Sequence, residues 1–205
     1  MATTGESLIA RVWRTLTSRR MPVGPYKRSA TLADLDALPE TLTGELIDGD
    51  LWAFPRPRAA HAVVEGELYR GLGPATDDDG PSGWLILIEV DVMFGPHCLV
   101  PDLAGWRRTR MPQVPDVPRI DVRPDWICEA MSPSTARLDR GRKRELYAAS
   151  GVPYLWYVDP AHHTLETLVL DGSSYRVTAT AGETERGRFV PFDGLELDVS
   201  RLWRR

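Results

Sequence analysis

Two short apolar segments, separated by one helical segment, constrain the fold of this 205-residue chain most strongly. The first covers residues 125–130 and carries Glu129, and the second covers residues 154–158. Between them, a turn rich in serine and threonine precedes a helical pattern from about Leu138 to Ser150, which a glycine and a proline end. A strand, a helix and a second strand connected in this way form a crossover unit, so we expect the two strands to lie in one sheet.

Turn residues predict three hairpins around this unit. Asp48-Gly49 lies between two apolar runs, which is a strong signal for a tight hairpin. Asp171-Gly172 predicts another hairpin within the strands expected from 163–197. Residues 84–94 and 99–106 are connected by a short Gly-Pro turn, and we expect each of them to form one long strand of the third hairpin.

Two further helices are predicted in the first half of the chain. Thr31 is a typical N-cap, and a short apolar stripe follows it as far as Pro39. The second helix is expected from about His61 to Leu72, where apolar residues recur every four positions and Glu65 faces elsewhere. Together, these elements predict an α+β or α/β protein with a mixed sheet and few helices.

The overall charge and the cysteine content exclude several classes of protein. A net charge of −4 and a pI near 5.6 argue against a strongly non-specific nucleic-acid binder, although they permit a local basic groove. Cys98 and Cys128 lie in apolar runs without a C-x-x-C motif or a Cys/His cluster. We therefore expect neither a disulfide scaffold nor a zinc site, and a reducing, cytoplasmic location fits.

Length and hydropathy indicate the domain organisation. We interpret residues 29–205 as one domain and residues 1–28 as an N-terminal extension that forms a short helix. No apolar stretch approaches the ~20 residues that a membrane span needs, so we expect no membrane partner. The aromatic run of residues 154–157 is compatible with a homodimer interface, but burial in the core explains it equally well.

Three polar residues in or near apolar segments indicate a candidate catalytic site. Asp102 follows a proline in an apolar run, Glu129 lies in the first segment of the crossover unit, and Lys143 lies on its helix. If the two strands are neighbours, Asp102 and Glu129 can hold Mg²⁺ or Mn²⁺, and the peptide carbonyl of Ala130 can add a ligand. A nearby lysine can then assist a metal-bound water, which is the chemistry of phosphodiester hydrolysis.

The helix itself adds candidate residues. Asp139, Lys143 and Tyr147 are spaced by four and form one stripe. We predict supporting roles for Asp139 and Tyr147, and also for three residues elsewhere in the chain, Glu45, His61 and Asp91. Arginines on the helix and after the 99–106 strand can line a phosphate-binding groove for nucleic acid; the candidates are Arg107, Arg140, Arg142 and Arg144.

The same residues allow simpler interpretations. Asp102 alone is compatible with a strand-end residue, and Asp139–Lys143 with an exposed i,i+4 pair worth only about 0.3–0.5 kcal/mol. One alternative function is a binding or interaction module that keeps the same fold without turnover. Another is a metal-independent glycosidase in which Asp102 and Glu129 serve as acid and base.

The order of the motifs resembles that of the Uma-type family of restriction endonuclease-like proteins, formerly a domain of unknown function, in the PD-(D/E)XK nuclease superfamily. The resemblance covers about residues 30–195 and is most specific from Glu129 to Pro160. The matching words are Thr31-Leu32-Ala33-Asp34-Leu35, Glu45-Leu46-Ile47-Asp48-Gly49, His61, Val100-Pro101-Asp102-Leu103, Glu129-Ala130-Met131-Ser132-Pro133-Ser134-Thr135, Asp139, Lys143, Tyr147 and Gly151-Val152-Pro153-Tyr154-Leu155-Trp156-Tyr157-Val158-Asp159-Pro160.

This resemblance implies a restriction-endonuclease-like fold of α+β class, α/β/α-like, in which helices flank a central mixed sheet with extra hairpins. It implies a metal-dependent endonuclease that acts on DNA, with Asp102 as the first acid of the superfamily pattern and Glu129 as the second. The chain departs from that pattern at Met131, where the superfamily has a lysine. The resemblance implies that Lys143, on the following helix, takes the place of that lysine.

Overall fold

Residues 24–55, 59–77, 83–132 and 135–204 are described by a computed structural model of the protein. Of the N-terminal extension predicted for residues 1–28, residues 1–23 lie outside the described residues. Lys27 pairs with Leu51 through backbone hydrogen bonds in both directions, at 3.2 and 2.8 Å. Among the described residues, no helix is both long enough and apolar enough to cross a membrane.

The described chain contains short helices and twelve strands. The helices are α1 (Leu32–Asp36), α2 (Ala59–Gly71), α3 (Gly73–Thr76) and α4, which is formed by Ala136–Leu138, a π-helical turn Asp139–Lys143 and Arg144–Ala149, followed by a 3-10 helix Val199–Trp203. The strands are β1 (Leu42–Ile47), β2 (Asp50–Pro55), β3 (Trp84–Ile88), β4 (Val92–Phe94), β5 (His97–Leu99), β6 (Leu103–Arg107), β7 (Trp126–Ala130), β8 (Tyr154–Asp159), β9 (Thr164–Asp171), β10 (Ser174–Ala181), β11 (Arg186–Gly187) and β12 (Leu197–Asp198).

The predicted crossover unit is confirmed and forms the centre of the larger sheet. β7 and β8 pair in parallel, with Trp126 opposite Tyr154, and α4 connects them. The remaining strands of this six-stranded sheet are antiparallel, in the order β10-β9-β8-β7-β6-β3. The sheet is therefore mixed, as expected, and its only parallel pair within the described residues is the one that carries Glu129.

The hairpin predicted at Asp48-Gly49 is also confirmed, and it belongs to a second sheet. β1 and β2 pair around a turn in which Asp48 and Gly49 both have positive φ, 53° and 76°. Such a turn twists in the same sense as its strands, which explains the Asp-Gly signal. This four-stranded sheet has the order β2-β1-β5-β4.

The prediction of two long strands over residues 84–94 and 99–106 is wrong. Each divides into two, so that β3 pairs with β6 in the larger sheet while β4 pairs with β5 in the smaller one. Pro101 lies at the break and cannot donate to a ladder. On the opposing strand, Glu89 has the left-handed φ of 49° and donates its N–H to the Asp102 carbonyl at 3.1 Å. The hairpin therefore bends from one sheet to the other at Glu89 and Asp102.

Apolar residues pack against both faces of the larger sheet. On one face, the smaller sheet and α4 cover Trp106, Ile127 and Leu155 with a cluster that includes Leu146 and Tyr147. On the other face, α2 and the C-terminal segment cover another set of side chains, including the indoles Trp84, Trp126 and Trp156. The aromatic run of residues 154–157 thus contributes mostly to the core, since Leu155, Trp156 and Tyr157 are at most 1% exposed.

An ion pair between Arg142 and Asp48 connects α4 to the smaller sheet. Arg142 donates from Nε and Nη2 to the two carboxylate oxygens of Asp48, both at 2.6 Å. Asp48 also donates its backbone N–H to His97 Nδ1, at 3.1 Å. Because Asp48 lies in the β1–β2 turn, this bidentate contact helps to orient β1, which carries Glu45, against the helix that carries Lys143.

A close approach between α1 and β1 generates a testable prediction. A Cβ atom at Gly44 would overlap the Cδ1 atoms of Leu35 and Leu38. We expect Gly44→Ala to lower the free energy of unfolding by about 1–3 kcal/mol because the Leu35 and Leu38 side chains must move to make room. Urea denaturation followed by circular dichroism measures this change.

The matched control for that variant is Gly66→Ala. Gly66 lies within α2, and a Cβ atom there would meet nothing within 4 Å. This variant should keep or raise the urea midpoint, because alanine favours a helix over glycine by about 1 kcal/mol. Equal midpoints for Gly44→Ala and the wild type would contradict the proposed packing of α1 on β1.

Candidate active site

The bend between the two sheets brings Asp102 next to the strand that carries Glu129. Leu103 is opposite Cys128 in the antiparallel pair of β6 and β7, so Asp102, one residue earlier, comes opposite Glu129. Asp102 Oδ2 accepts the backbone N–H of Ala130 at 2.6 Å. The two acids are therefore neighbours, as the sequence analysis predicted, although Asp102 precedes β6 and does not lie inside a strand.

Lys143 is the centre of a buried cluster of charged groups. Its Nζ lies 2.9 Å from Glu45 Oε1, 2.9 Å from Glu129 Oε1 and 3.3 Å from Asp139 Oδ1. Each of these four residues is at most 3% exposed. Tyr147 OH donates to the same Glu129 Oε1 at 2.5 Å. We call these five residues the Lys143 cluster.

The Lys143 cluster joins elements that are far apart in the sequence. Glu45 comes from β1 of the smaller sheet, Glu129 from β7 of the larger sheet, and the other three residues from α4. The backbone N–H of Val100 also donates to Glu45 Oε1, at 2.9 Å. The cluster therefore lies where the two sheets and the helix meet.

A π-helical turn carries two members of this cluster. The sequence predicts an ordinary helix here, but Asp139–Lys143 has the wider π geometry, which is frequent at functional sites. Gly141, which weakens helix propensity, is the one sequence signal for the irregularity. The main chain is held from the sheet, since Tyr157 OH donates to the Asp139 carbonyl at 2.9 Å.

Burial and mutual repulsion control the charges of the cluster. Burial raises the pKa of Glu129 well above its usual value, although Lys143 acts in the opposite direction. Burial likewise raises the pKa of Asp139, to about 6. Burial alone would lower the pKa of Lys143, but the negative charges of Glu129 and Glu45 outweigh this effect and raise it. Lys143 is thus a stable cation, and its three acids compete for one positive charge.

A second cluster adjoins the first and consists of His61, Glu65 and Asp102. His61 Nε2 lies 3.0 Å from Asp102 Oδ1 and 3.3 Å from Glu65 Oε1. Burial would lower the pKa of His61, but its hydrogen bond to Asp102 and the charges of both acids raise it. Burial raises the pKa of Glu65 to about 7, and the charge of Asp102 adds to this effect. We call this group the His61 cluster.

Glu65 was missed by the sequence analysis, which assigned it to a face away from the apolar stripe. It is only 5% exposed, and its Oε1 makes no hydrogen bond within the described part of the chain. The available signal was its spacing of four from His61, which puts both side chains on one face of α2. Sequence periodicity cannot tell that this face covers Asp102.

The His61 cluster fits a divalent cation. Its three ligand atoms all lie within 4.8 Å of one another. Adjacent ligands about 2.1 Å from an octahedral cation are about 3.0 Å apart, close to the separations around His61 Nε2. Two carboxylates are suitable ligands for Mg²⁺ or Mn²⁺, and a cation would also give the buried Glu65 Oε1, which makes no hydrogen bond among the described residues, a contact beyond its 3.3 Å approach to His61.

Other predicted site residues lie apart from both clusters or have separate contacts. Asp91 Oδ2 lies 3.5 Å from Arg119 Nε and outside the two clusters. Ala130, whose carbonyl is a predicted metal ligand, donates its N–H to Asp102 Oδ2.

The four arginines predicted to bind nucleic acid all have contacts within the protein. The Arg107 guanidinium lies 4.1 Å from the centre of the Trp84 ring. Arg140 pairs with Glu166 at 2.6 Å, and Arg144 donates to the Tyr175 carbonyl at 2.7 Å. Arg142 pairs with Asp48. A DNA-binding role for these four arginines stays a prediction.

Comparison with known proteins agrees with this architecture. The family model "Uma2: Putative restriction endonuclease" matches residues 32–200. No curated protein matches the chain. A crystal structure described as a putative nuclease belonging to DUF820 from Anabaena variabilis is similar, with a TM-score of 0.69 and 21% sequence identity. The similarity covers 85% of this chain and 97% of that chain, which supports the restriction-endonuclease-like fold.

The family match includes every residue of the two clusters and both sheets. It confirms the resemblance drawn from the sequence motifs, and the mixed sheet with few helices confirms the expected fold class. The chain therefore belongs to the Uma2 family of restriction endonuclease-like proteins.

Proposed function

We propose that the protein is a metal-dependent nuclease that hydrolyses phosphodiester bonds in DNA, with a divalent cation at the His61 cluster. The family supports a nuclease, and the contact between the two clusters carries the proposal. Asp102 binds His61 through one oxygen and the amide after Glu129 through the other. The candidate metal ligands and the buried lysine–acid cluster are thereby held next to each other, an arrangement that supports metal-assisted phosphodiester hydrolysis.

The sequence analysis predicted Asp102, Glu129 and Ala130 as metal ligands. The set proposed here keeps Asp102 and replaces the other two with His61 and Glu65. Glu129 Oε1 already accepts from Lys143 and Tyr147, so Glu65 and His61 are the better candidates on the other side of Asp102. The imidazole favours Mn²⁺ over Mg²⁺, which prefers oxygen ligands. A bound cation would supply Lewis acidity and lower the pKa of a coordinated water.

We assign Lys143 an electrostatic role and not that of a base. Its pKa is raised by Glu129 and Glu45, so it keeps its proton at neutral pH. The ammonium holds Glu129 next to Asp102 and adds positive potential where phosphate charge develops in the transition state. Glu45, Asp139 and Tyr147 orient Lys143 and Glu129 by the contacts already described.

One observation favours the alternative of a binding module without turnover. Lys143 and Glu129 are at most 3% exposed and already pair with each other, which limits access of a substrate to either. A glycosidase receives less support, because both acids have other partners and Trp84, Trp106, Trp126 and Trp156 are buried in the core instead of lining a sugar site.

Metal binding tests the proposed function most directly. We expect Mn²⁺ to bind the wild type in a calorimetric titration, and Glu65→Gln to weaken this binding at least tenfold because a buried ligand loses its charge. Asp102→Asn should have a similar effect. The control is Glu67→Gln on the same helix, where Glu67 pairs with Arg70 at the surface, and its affinity should equal that of the wild type.

The other outcomes of the titration have definite meanings. Wild-type affinity in Glu65→Gln together with loss in Glu129→Gln would favour the ligand set predicted from the sequence. An absence of Mn²⁺ binding by the wild type at millimolar concentrations, with DNA binding retained, would overturn the nuclease proposal and favour the binding module.

The buried lysine generates a second prediction. Lys143→Met should lower the free energy of unfolding by about 3–5 kcal/mol at pH 7, because it leaves buried acids without their cation. It should also abolish Mn²⁺-dependent cleavage of plasmid DNA. Urea denaturation and gel analysis of plasmid forms measure the two effects.

A double variant separates charge from packing in this experiment. Lys143→Met combined with Glu129→Gln should be more stable than Lys143→Met alone, because the pair then leaves one fewer uncompensated charge. Cleavage should stay lost in the double variant. Strictly additive changes in unfolding free energy would contradict a direct interaction between Lys143 and Glu129.

A further inference from the structure

The π-helical turn of α4 lies over three adjacent strands of the larger sheet. In the register of this sheet, Glu129 of β7 is opposite Tyr157 of β8, and Tyr157 is opposite Glu166 of β9. Directly opposite residues of neighbouring strands point to the same face, so these three side chains form one row. Tyr157 is the middle member of the row and belongs to neither of the two clusters defined above.

Two ion pairs connect the turn to the outer members of this row. Lys143 Nζ lies 2.9 Å from Glu129 Oε1, and Arg140 Nη2 lies 2.6 Å from Glu166 Oε2. The first pair is buried, whereas the side chain of Arg140 is 43% exposed in the second. Because exposed ion pairs contribute little to stability, the Arg140–Glu166 pair alone does not fix the turn.

Tyr157 connects the turn to the middle strand by its hydroxyl and by its ring. Its OH donates to the Asp139 carbonyl at 2.9 Å, and the Arg140 guanidinium lies 4.8 Å from the centre of its ring. Tyr157 is 1% exposed, and burial together with the negative charge of Glu129 raises its pKa. The phenol therefore keeps the proton that it donates, and the main chain of the turn is held by a buried hydrogen bond.

The π geometry needs support from outside the helix. In an α-helix each carbonyl accepts from the N–H four residues later, whereas a π turn uses the fifth, and such turns are rare. A donor from the sheet that binds the Asp139 carbonyl opposes relaxation of the turn to the α-helical register. Such a relaxation would change the directions in which Asp139 and Lys143 project, and with them the contacts of the Lys143 ammonium.

We propose that Tyr157 is a positioning residue of the candidate active site, which holds the π turn so that the Lys143 ammonium stays between Glu45 and Glu129. It acts through the Asp139 carbonyl and not by contact with a substrate, since it is buried. This inference rests on the proposed function, in which Lys143 adds positive potential at the reacting phosphate.

The Lys143 ammonium can be observed directly, because Lys27 and Lys143 are the two lysines of the chain. Lys27 is exposed and Lys143 is buried, so the full chain labelled with ¹⁵N at lysine should give one slowly exchanging ammonium signal in NMR spectra. We expect Tyr157→Phe to shift this Lys143 signal. Its hydrogen exchange with water should become about three- to tenfold faster, the equivalent of one hydrogen bond.

Tyr175→Phe is the matched control. Tyr175 is buried in the same core, and its OH also donates to a main-chain carbonyl, that of Val152, at 2.7 Å. Val152 comes after the end of α4, and the contact of Arg144 with the Tyr175 carbonyl does not involve the hydroxyl. Both variants should lower the melting temperature by similar amounts, but only Tyr157→Phe should change the Lys143 signal.

Cleavage kinetics provide a second readout. Tyr157→Phe should lower kcat for Mn²⁺-dependent cleavage of plasmid DNA about three- to tenfold, since less transition-state stabilisation is available from a displaced Lys143. KM and the affinity for Mn²⁺ should keep their wild-type values, because the hydroxyl binds the main chain of the turn and not a proposed metal ligand. Tyr175→Phe should keep the wild-type kcat.

The remaining outcomes separate the two proposals. Wild-type exchange of the Lys143 ammonium in Tyr157→Phe would overturn the inference, and so would an equal change in Tyr175→Phe or an unchanged kcat in Tyr157→Phe. A wild type that cleaves no DNA would overturn the nuclease proposal, while the NMR comparison would still decide whether Tyr157 positions Lys143.

Discussion

The ammonium of Lys143, buried among the carboxylates of Glu45, Glu129 and Asp139, is the interaction on which the rest of the structure depends. Its contacts of 2.9 and 2.9 Å to Glu45 and Glu129 join the smaller sheet to the larger one, and the lysine itself belongs to α4. Removal of one partner from such a buried group leaves an uncompensated charge, which costs several kcal/mol. The two sheets and the helix therefore have one mutual arrangement that satisfies all of these groups.

The adjoining His61 cluster follows from this arrangement. Lys143 and Tyr147 position Glu129, and the next residue along β7 donates its N–H to Asp102. Asp102 in turn orients His61, which faces Glu65 on α2. A chain of hydrogen bonds thus connects a helix on one face of the larger sheet to a helix on the other. The arrangement explains why acids that would repel one another converge at a single point, where a cation can reduce their repulsion.

The bend in the long hairpin is the backbone feature that makes room for this convergence. An unbroken pair of strands would continue a single sheet through this region and leave no junction between two sheets. Pro101 ends the ladder, and Glu89 adopts a left-handed conformation that is uncommon for a residue with a side chain. The candidate active site borders this bend, so strain at Glu89 coincides with the part of the molecule to which we assign function.

The local elements could be predicted from the sequence because short-range physics specifies them. The Asp48-Gly49 and Asp171-Gly172 hairpins, the N-cap at Thr31 and the parallel pair of residues 126–130 and 154–158 all rest on turn chemistry and apolar patterning. The acids Asp102 and Glu129 stood out because charged residues are rare in apolar runs. The family motifs then identified the nuclease family, which the family match confirms.

Only the tertiary structure decided how these elements meet. The division of residues 84–94 and 99–106 between two sheets, the burial of Glu65 beside His61 and the placement of Asp91 with Arg119 depend on contacts between distant segments. Periodicity reports which face of a helix or strand is apolar, but not which distant residue that face will cover. The sequence by itself therefore determined the elements, the family and the acids of interest, whereas long-range packing decided which of these acids lie together, because burial and charge pairing exist only in the folded chain.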